Sequence, residues 1–184
     1  WRSKCDASGT NLILDLGGEY GGPATAFVNL IASPAKWEQY FTEVDDVCLR
    51  NPDGVRFDGI SYDIEFLNSR SQAGRDQWHA FVTAHKAHLD LWPGKPGRMG
   101  CASALWWEWQ AGVPYMNKET ALLFDWIFVM GYNTSSSAQG RLGFEAQLYQ
   151  NPALPGVEVW ADRGLKQYKQ WLGDISNIVM GTSN

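Results

Sequence analysis

A chain of 184 residues is long enough for one well-cored domain and short for two. With 45% hydrophobic and 19% charged residues, its composition is globular, which excludes a disordered chain and a coiled coil. A net charge of -5, no basic stripe, and no apolar run near the roughly 18 residues of a membrane helix argue against nucleic-acid and membrane partners.

Taken in order, Leu12-Ile13-Leu14-Asp15-Leu16 reads as a buried strand that stops at Gly17-Gly18. Ser33 and Pro34 predict an N-cap and first helical residue, followed by Trp37, Tyr40, Phe41, Val44 and Cys48 at helical spacing. Val55-Arg56-Phe57 leads into a second strand, Gly59 to Glu65. Trp78, Phe81, Val82, His85 and Leu89 then mark a helix that ends before Pro93. Arg98 to Leu105 predicts a strand, Lys118 to Leu123 a short helix, and Trp126 to Met130 a strand. Gly140 to Tyr149 predicts a helix, Val157 to Trp160 a strand, Leu165 to Leu172 a helix, and Ile178 to Met180 a last strand. Alternating strands and helices predict an α/β fold with a parallel sheet. The pattern has about six β/α units, in one domain over residues 1–184. A closed eight-stranded barrel typically takes about 250 residues, so an open doubly wound sheet and part of a barrel both stay in view.

The aromatic content, 10 Trp, 7 Tyr and 8 Phe, is high for one domain. Trp is rarely buried completely, so some of these rings are expected to face solvent or a ligand, and flat rings suit the C–H faces of sugars. Cys5, Cys48 and Cys101 allow at most one internal disulfide, with the pairing open. The chain starts Trp1-Arg2-Ser3-Lys4-Cys5, without Met or an apolar signal region, and further upstream sequence is expected.

The chemistry concentrates on the second strand. Side chains two apart share a face, so Ser61, Asp63 and Glu65 point one way and Ile60, Tyr62 and Ile64 the other. Two carboxyls on the inner face of a parallel sheet carry a desolvation cost that calls for a functional reason. Glu65 falls at the carboxyl end of its strand, where α/β folds place their active sites. Neighbouring carboxyls repel when ionised, so one holds its proton to higher pH, as a general acid requires. The bland alternative is a buried acid pair satisfied by Arg or backbone donors.

Phe57-Asp58-Gly59-Ile60-Ser61-Tyr62-Asp63-Ile64-Glu65 resembles the D-G-x-D-x-D-x-E signature of family 18 glycoside hydrolases, the chitinases and related endo-β-N-acetylglucosaminidases. Ser61 stands where the family usually has its middle Asp. Leu14-Asp15-Leu16-Gly17-Gly18 resembles the family's S-x-G-G strand end, with Asp15 in place of Ser. Met130-Gly131-Tyr132-Asn133 resembles M-x-Y-D, with Asn133 in place of Asp. The resemblance implies a (β/α)8 TIM-barrel-like fold that is incomplete here, lacking the first two strands, so its exposed sheet edges leave self-association open. The family's tryptophan at the end of the last strand has no counterpart in Met180-Gly181-Thr182-Ser183.

The resemblance further implies Glu65, Asp63 and Tyr132 as catalytic residues. Ser61, Asn133, Met130, Trp106, Trp160 and Tyr20 would contact the substrate, with Trp107, Glu108 and Glu19 as weaker candidates. It implies cleavage of β-1,4 links beside N-acetylglucosamine with the substrate's acetamido group as nucleophile. The partner is chitin or another N-acetylglucosamine-containing glycan, the setting is secreted, and neither cofactor nor metal is needed. Ser61 removes a carboxylate that would influence the Asp63 proton, which predicts a shifted acid limb rather than loss of activity. A catalytically silent glycan-binding relative is the alternative. His79, His85 and His88 share one predicted helix and are expected to be solvent-exposed rather than metal-bound.

Overall fold

Parallel strands need long crossover connections, and helices that close such crossovers bury one apolar stripe against the sheet. The computed structural model describes residues 2–17, 22–63, 72–103, 117–130, 173 and 178–181. Its strands are β1 (Ile13–Gly17), β2 (Gly59–Asp63), β3 (Arg98–Ser103), β4 (Trp126–Met130) and β5 (Ile178–Gly181). They pair in parallel and in chain order, with β1 and β5 at the edges among the described residues. Both sides of β4 are taken, by β3 and β5, so no strand separates Trp126–Met130 from Ile178–Gly181. The expected strand Val157 to Trp160 and the helices expected at 140–149 and 165–172 lie outside the described residues.

The helices are α1 (Arg2–Ser8), α2 (Gly22–Ile31), α3 (Trp37–Leu49), α4 (Gln72–Leu89) and α5 (Lys118–Ala121). α3 and α4 follow the apolar spacing closely: Phe41, Val44 and Cys48 on α3 and Trp78, Phe81, Val82, His85 and Leu89 on α4 are all buried. α5 starts at Asn117, whose side chain accepts a hydrogen bond from the Thr120 N–H, an N-cap. Ser33 holds the expected N-cap position with Pro34 as the first helical residue, but its side chain makes no capping bond. Pro34–Lys36 forms a 3-10 turn ahead of α3, and the Ser33 hydroxyl donates backward to the Asn29 carbonyl at 2.7 Å. α2 ends only two residues earlier, so its unpaired carbonyls compete for that hydroxyl. α1 and α2 carry no sequence expectation.

Strand alternation places Ile60, Tyr62, Met99, Cys101 and Ile127 on the helix side, each at most 1% exposed. Their aromatic layer is continuous. Phe27 of α2 lies 5.7 Å from Tyr62 and 5.6 Å from Phe81 between ring centroids, and Trp78 lies 5.5 Å from Tyr62. Rings in this part of the chain therefore build the core. No disulfide joins Cys5, Cys48 and Cys101 among the described residues, and burial pushes the Cys48 thiol up to about 12.

The histidine expectation is also corrected. His85 is fully buried, because it sits on the same helical stripe as Phe81, Val82 and Leu89. Its Nδ1 is hydrogen-bonded to the Tyr62 hydroxyl, which Tyr40 also engages, and its ring stacks on Phe41 at 4.2 Å. His79 pairs with the Thr120 hydroxyl at 2.9 Å. His88 pairs with Asp45 at 3.0 Å, and Asp45 also accepts from the Trp92 indole N–H at 2.7 Å, tying α3 to the end of α4.

A second tie holds the base of the sheet. Asp58, 2% exposed, precedes β2 and gathers Arg2 of α1 at 2.5 Å, Lys95 at 2.5 Å and the Leu12 N–H at 2.8 Å. Its own N–H donates to the Leu12 carbonyl, and its carbonyl accepts from the Arg98 N–H, so one residue registers β1, β2 and β3. Burial raises the Asp58 pKa, but Lys95, the Leu12 N–H and Arg2 outweigh it and hold the carboxyl down at about 2.

Asp58→Asn keeps the shape and removes the charge, and is expected to cost about 1–3 kcal/mol in urea unfolding at pH 7. Because the folded carboxyl titrates below its unfolded value of 3.8, its contribution is present above pH 4 and lost as pH falls toward 2. For His85, burial and then the His88 charge lower the pKa from 6.5 to about 3, and its buried Nε2 has no hydrogen-bond partner among the described residues. The unfolded chain therefore binds a proton that the fold refuses, and stability falls between pH 6.5 and 3 by up to about 1.4 kcal/mol per pH unit. His85→Gln is expected to flatten that slope in melting curves at pH 6, 5 and 4; an unchanged slope would assign it elsewhere.

Candidate active site

Residues directly opposed across parallel strands point to the same face, so register alone arranges the side of the sheet away from the helices. From the base upward, Gly59 faces Arg98, then Ser61 faces both Asp15 and Gly100, then Asp63 faces both Gly17 and Ala102. Gly100 and Ala102 in turn face Trp126 and Phe128. At the base the Trp126 indole fills the space over Gly100, where an added Cβ would meet it at 2.1 Å. The Arg98 guanidinium lies 5.3 Å from the Trp126 ring centroid, a cation–π contact.

Asp63 ends the described part of β2 and is half-buried, at the carboxyl ends of the strands. Gly17 makes that position possible. Its φ of +142° is a conformation L side chains rarely adopt, and a Cβ there would sit 2.0 Å from the Asp63 carbonyl oxygen. β1 therefore closes on β2 backbone to backbone beside the acid.

One layer below, Asp15 stands directly opposite Ser61. Desolvation by the surrounding sheet raises the Asp15 pKa above the ordinary carboxylate value, while the Ser61 hydroxyl and the Leu16 N–H pull it back.

The expected division of β2 into a polar face with Ser61 and Asp63 and an apolar face with Ile60 and Tyr62 is what the sheet displays. Met130 ends β4 opposite Gly181; its side chain lies outside the described residues. Glu65, Tyr132, Asn133, Trp106, Trp160 and Tyr20 lie outside them as well, as do Trp107, Glu108 and Glu19. Asp15 carries no role in the sequence reading beyond being a replacement for Ser. Its signal was the alternation Leu14-Asp15-Leu16, which puts one acid on the polar face of an otherwise apolar strand. Asp58 belongs to the same signature as Asp63 yet sits at the opposite end of the strand, in the base tie.

The profile described as glycosyl hydrolases family 18 matches residues 2–183, and the chain belongs to that family. The family fold is the (β/α)8 barrel; the described strands are an open parallel arc of it, not a closed barrel. Among solved structures, a chitinase from Bacillus thuringiensis superposes with a TM-score of 0.71 at 18% identity, covering 98% of this chain and 30% of that one. The class V chitinase from Nicotiana tobaccum gives 0.69 at 16% identity, covering 94% and 48%, and a mutant of it has been solved in complex with NAG4. A chitinase-like agglutinin from Robinia pseudoacacia gives 0.65 at 16% identity, covering 97% and 52%. The chain thus spans about half the length of the plant proteins and less than a third of the bacterial one. No curated protein matches it by sequence.

Gly17→Ala tests the close approach that seats Asp63. Left-handed strain and the overlap with the Asp63 carbonyl together are expected to lower stability by roughly 2–4 kcal/mol. A urea midpoint equal to that of the parent chain would mean that the β1 end relaxes freely.

Proposed function

We propose that the chain hydrolyses β-1,4 linkages beside N-acetylglucosamine in chitin or chito-oligosaccharides by substrate-assisted retaining catalysis. The observation that supports this reading is the position of Asp63, at the carboxyl end of β2 on the face away from the helices, with Glu65 two residues further on. Family membership supplies the reaction class.

Glu65 protonates the leaving glycosidic oxygen while the carbonyl oxygen of the substrate's 2-acetamido group attacks the anomeric carbon. The resulting oxazolinium is positively charged, and the Asp63 carboxylate holds its N–H and balances that charge. Tyr132 donates to the acetamido oxygen. Glu65, now ionised, takes a proton from the water that opens the ring. Asn133 hydrogen-bonds a sugar hydroxyl, and Ser61 and Met130 line the site. Trp106, Trp160 and Tyr20 offer rings to the apolar faces of neighbouring sugars. Action on a polymer outside the cell suits a secreted protein.

A second reading, glycan binding without hydrolysis, draws on the replacements at Ser61 and Asn133 and on the agglutinin among the structural neighbours. Release of a fluorophore from a chito-oligosaccharide glycoside separates the two. Glu65→Gln is expected to lower kcat by about 10²–10⁴-fold, the usual weight of a general acid. Equal, negligible release by parent and variant, with retained binding of the oligosaccharide, would establish the binder instead.

A further inference from the structure

The two departures from the family pattern nearest Asp63 are not independent. β1 has Asp15 where the pattern has Ser, β2 has Ser61 where the pattern has Asp, and the parallel register sets these two residues directly opposite each other. Opposed residues in adjacent strands lie about 4.8 Å apart and share a face. The Ser61 side chain is close enough to lower the Asp15 pKa, against the desolvation that raises it. One carboxyl and one hydroxyl therefore occupy the layer beneath Asp63, with the acid on β1 rather than on β2.

We infer that Asp15 and Ser61 form an exchanged carboxyl–hydroxyl pair in which Asp15 is a positioning residue that acts on Asp63 from the neighbouring strand. The inference rests on the hydrolase reading for its consequence in catalysis, and it revises the expectation that Ser61 leaves the site one carboxylate short.

The physical argument is one of distance and company. Two residues along a strand is about 6.6 Å, so the diagonal from Asp15 to Asp63 is about 8 Å between Cα atoms. At that range, in an effective dielectric near 20, one carboxylate moves the titration of another by at most about 1.5 pH units, and by nearer one when one partner is solvent-exposed, as Asp15 is. The charged groups on this face among the described residues are Asp15, Asp63 and, at the base, Arg98, which is turned to the Trp126 ring. Glu65 is the other acid that the reading brings to the site.

Ser61 ties the pair together. Its hydroxyl, set opposite Asp15, favours the charged form of Asp15, against the desolvation that favours the neutral one. Whenever Asp15 is ionised it repels charge on Asp63. That repulsion keeps Asp63 protonated to higher pH than it would be alone.

The test follows the carboxyl carbons of Asp15 and Asp63 by NMR across pH 2–8 in the parent chain and in Asp15→Asn, Ser61→Ala and the double exchange Asp15→Ser/Ser61→Asp. The same variants are assayed for the pH dependence of kcat. In Asp15→Asn the Asp63 midpoint is expected to fall by about one pH unit and the acid limb of kcat to move with it. Ser61→Ala, which removes only the hydroxyl, is expected to raise the Asp15 midpoint. The double exchange returns a carboxyl to the layer and is expected to bring Asp63 back to within a few tenths of a unit of the parent value, a rescue that a purely structural Asp15 would not produce.

An Asp63 midpoint that Asp15→Asn leaves in place, in a chain that folds and hydrolyses, overturns the inference and leaves the hydrolase reading standing. Coupled midpoints in a chain that binds but does not cleave establish the pair and remove the hydrolase reading. Should Asp15→Asn fail to fold, Ser61→Ala decides: an unmoved Asp15 midpoint overturns the pair.

Discussion

The two-residue alternation of β2 is the constraint on which the rest depends. Ile60 and Tyr62 are wholly buried among α2, α3 and α4, and they can be so only if Ser61 and Asp63 face the other way. A slip of one residue would carry a carboxylate into a layer of rings, where an unpaired charge is prohibitively costly, and would turn Tyr62 away from His85. Aromatic burial on one side thereby fixes the direction of the acids on the other. The fixed register against β1 and β3 then decides which neighbours those acids meet.

Two aspartates of one short motif show how position along a strand divides labour. Asp58 is enclosed by Arg2, Lys95 and the Leu12 N–H, each of which favours its charged form, and its backbone links β1 to β3. A carboxylate so fully engaged is a fastening. Asp63, five residues further along, lies opposite Gly17, which brings the β1 backbone against its own and adds no side chain beside it. A fastened acid at the base and a second acid at the mouth is the arrangement expected of a parallel α/β fold, where the amino-terminal ends of the strands secure the sheet and the carboxyl-terminal ends carry chemistry.

Much of this was legible in the residues themselves. Helices α3 and α4 declared themselves through apolar spacing, because each buries a single continuous stripe, and four described strands came from short apolar runs bounded by glycine or charge. β2 was readable down to the orientation of Ser61 and Asp63. Less was readable where a residue's fate depends on a partner distant in sequence. His85 looked like a polar surface residue until Tyr62, 23 positions away, supplied a buried partner, and Ser33 took the N-cap position while its hydroxyl went to the carbonyl of Asn29. α1 and α2 escaped notice because one is short and polar and the other opens with Gly22-Pro23, a turn signal in isolation. Asp15 was visible as an unusual residue in an apolar run, but its meaning required the register that sets it against Ser61.

That register has an evolutionary corollary. A lineage with serine on the first of these strands and aspartate on the second cannot reach the opposite arrangement by one substitution. A route of two direct Ser/Asp replacements crosses a chain with two opposed acids or one with two opposed hydroxyls at that layer. The first intermediate would carry like charges side by side, and the second would leave the layer without any charge. Closely related chains with either combination would therefore mark the historical path, and their scarcity or abundance would tell which intermediate selection tolerated.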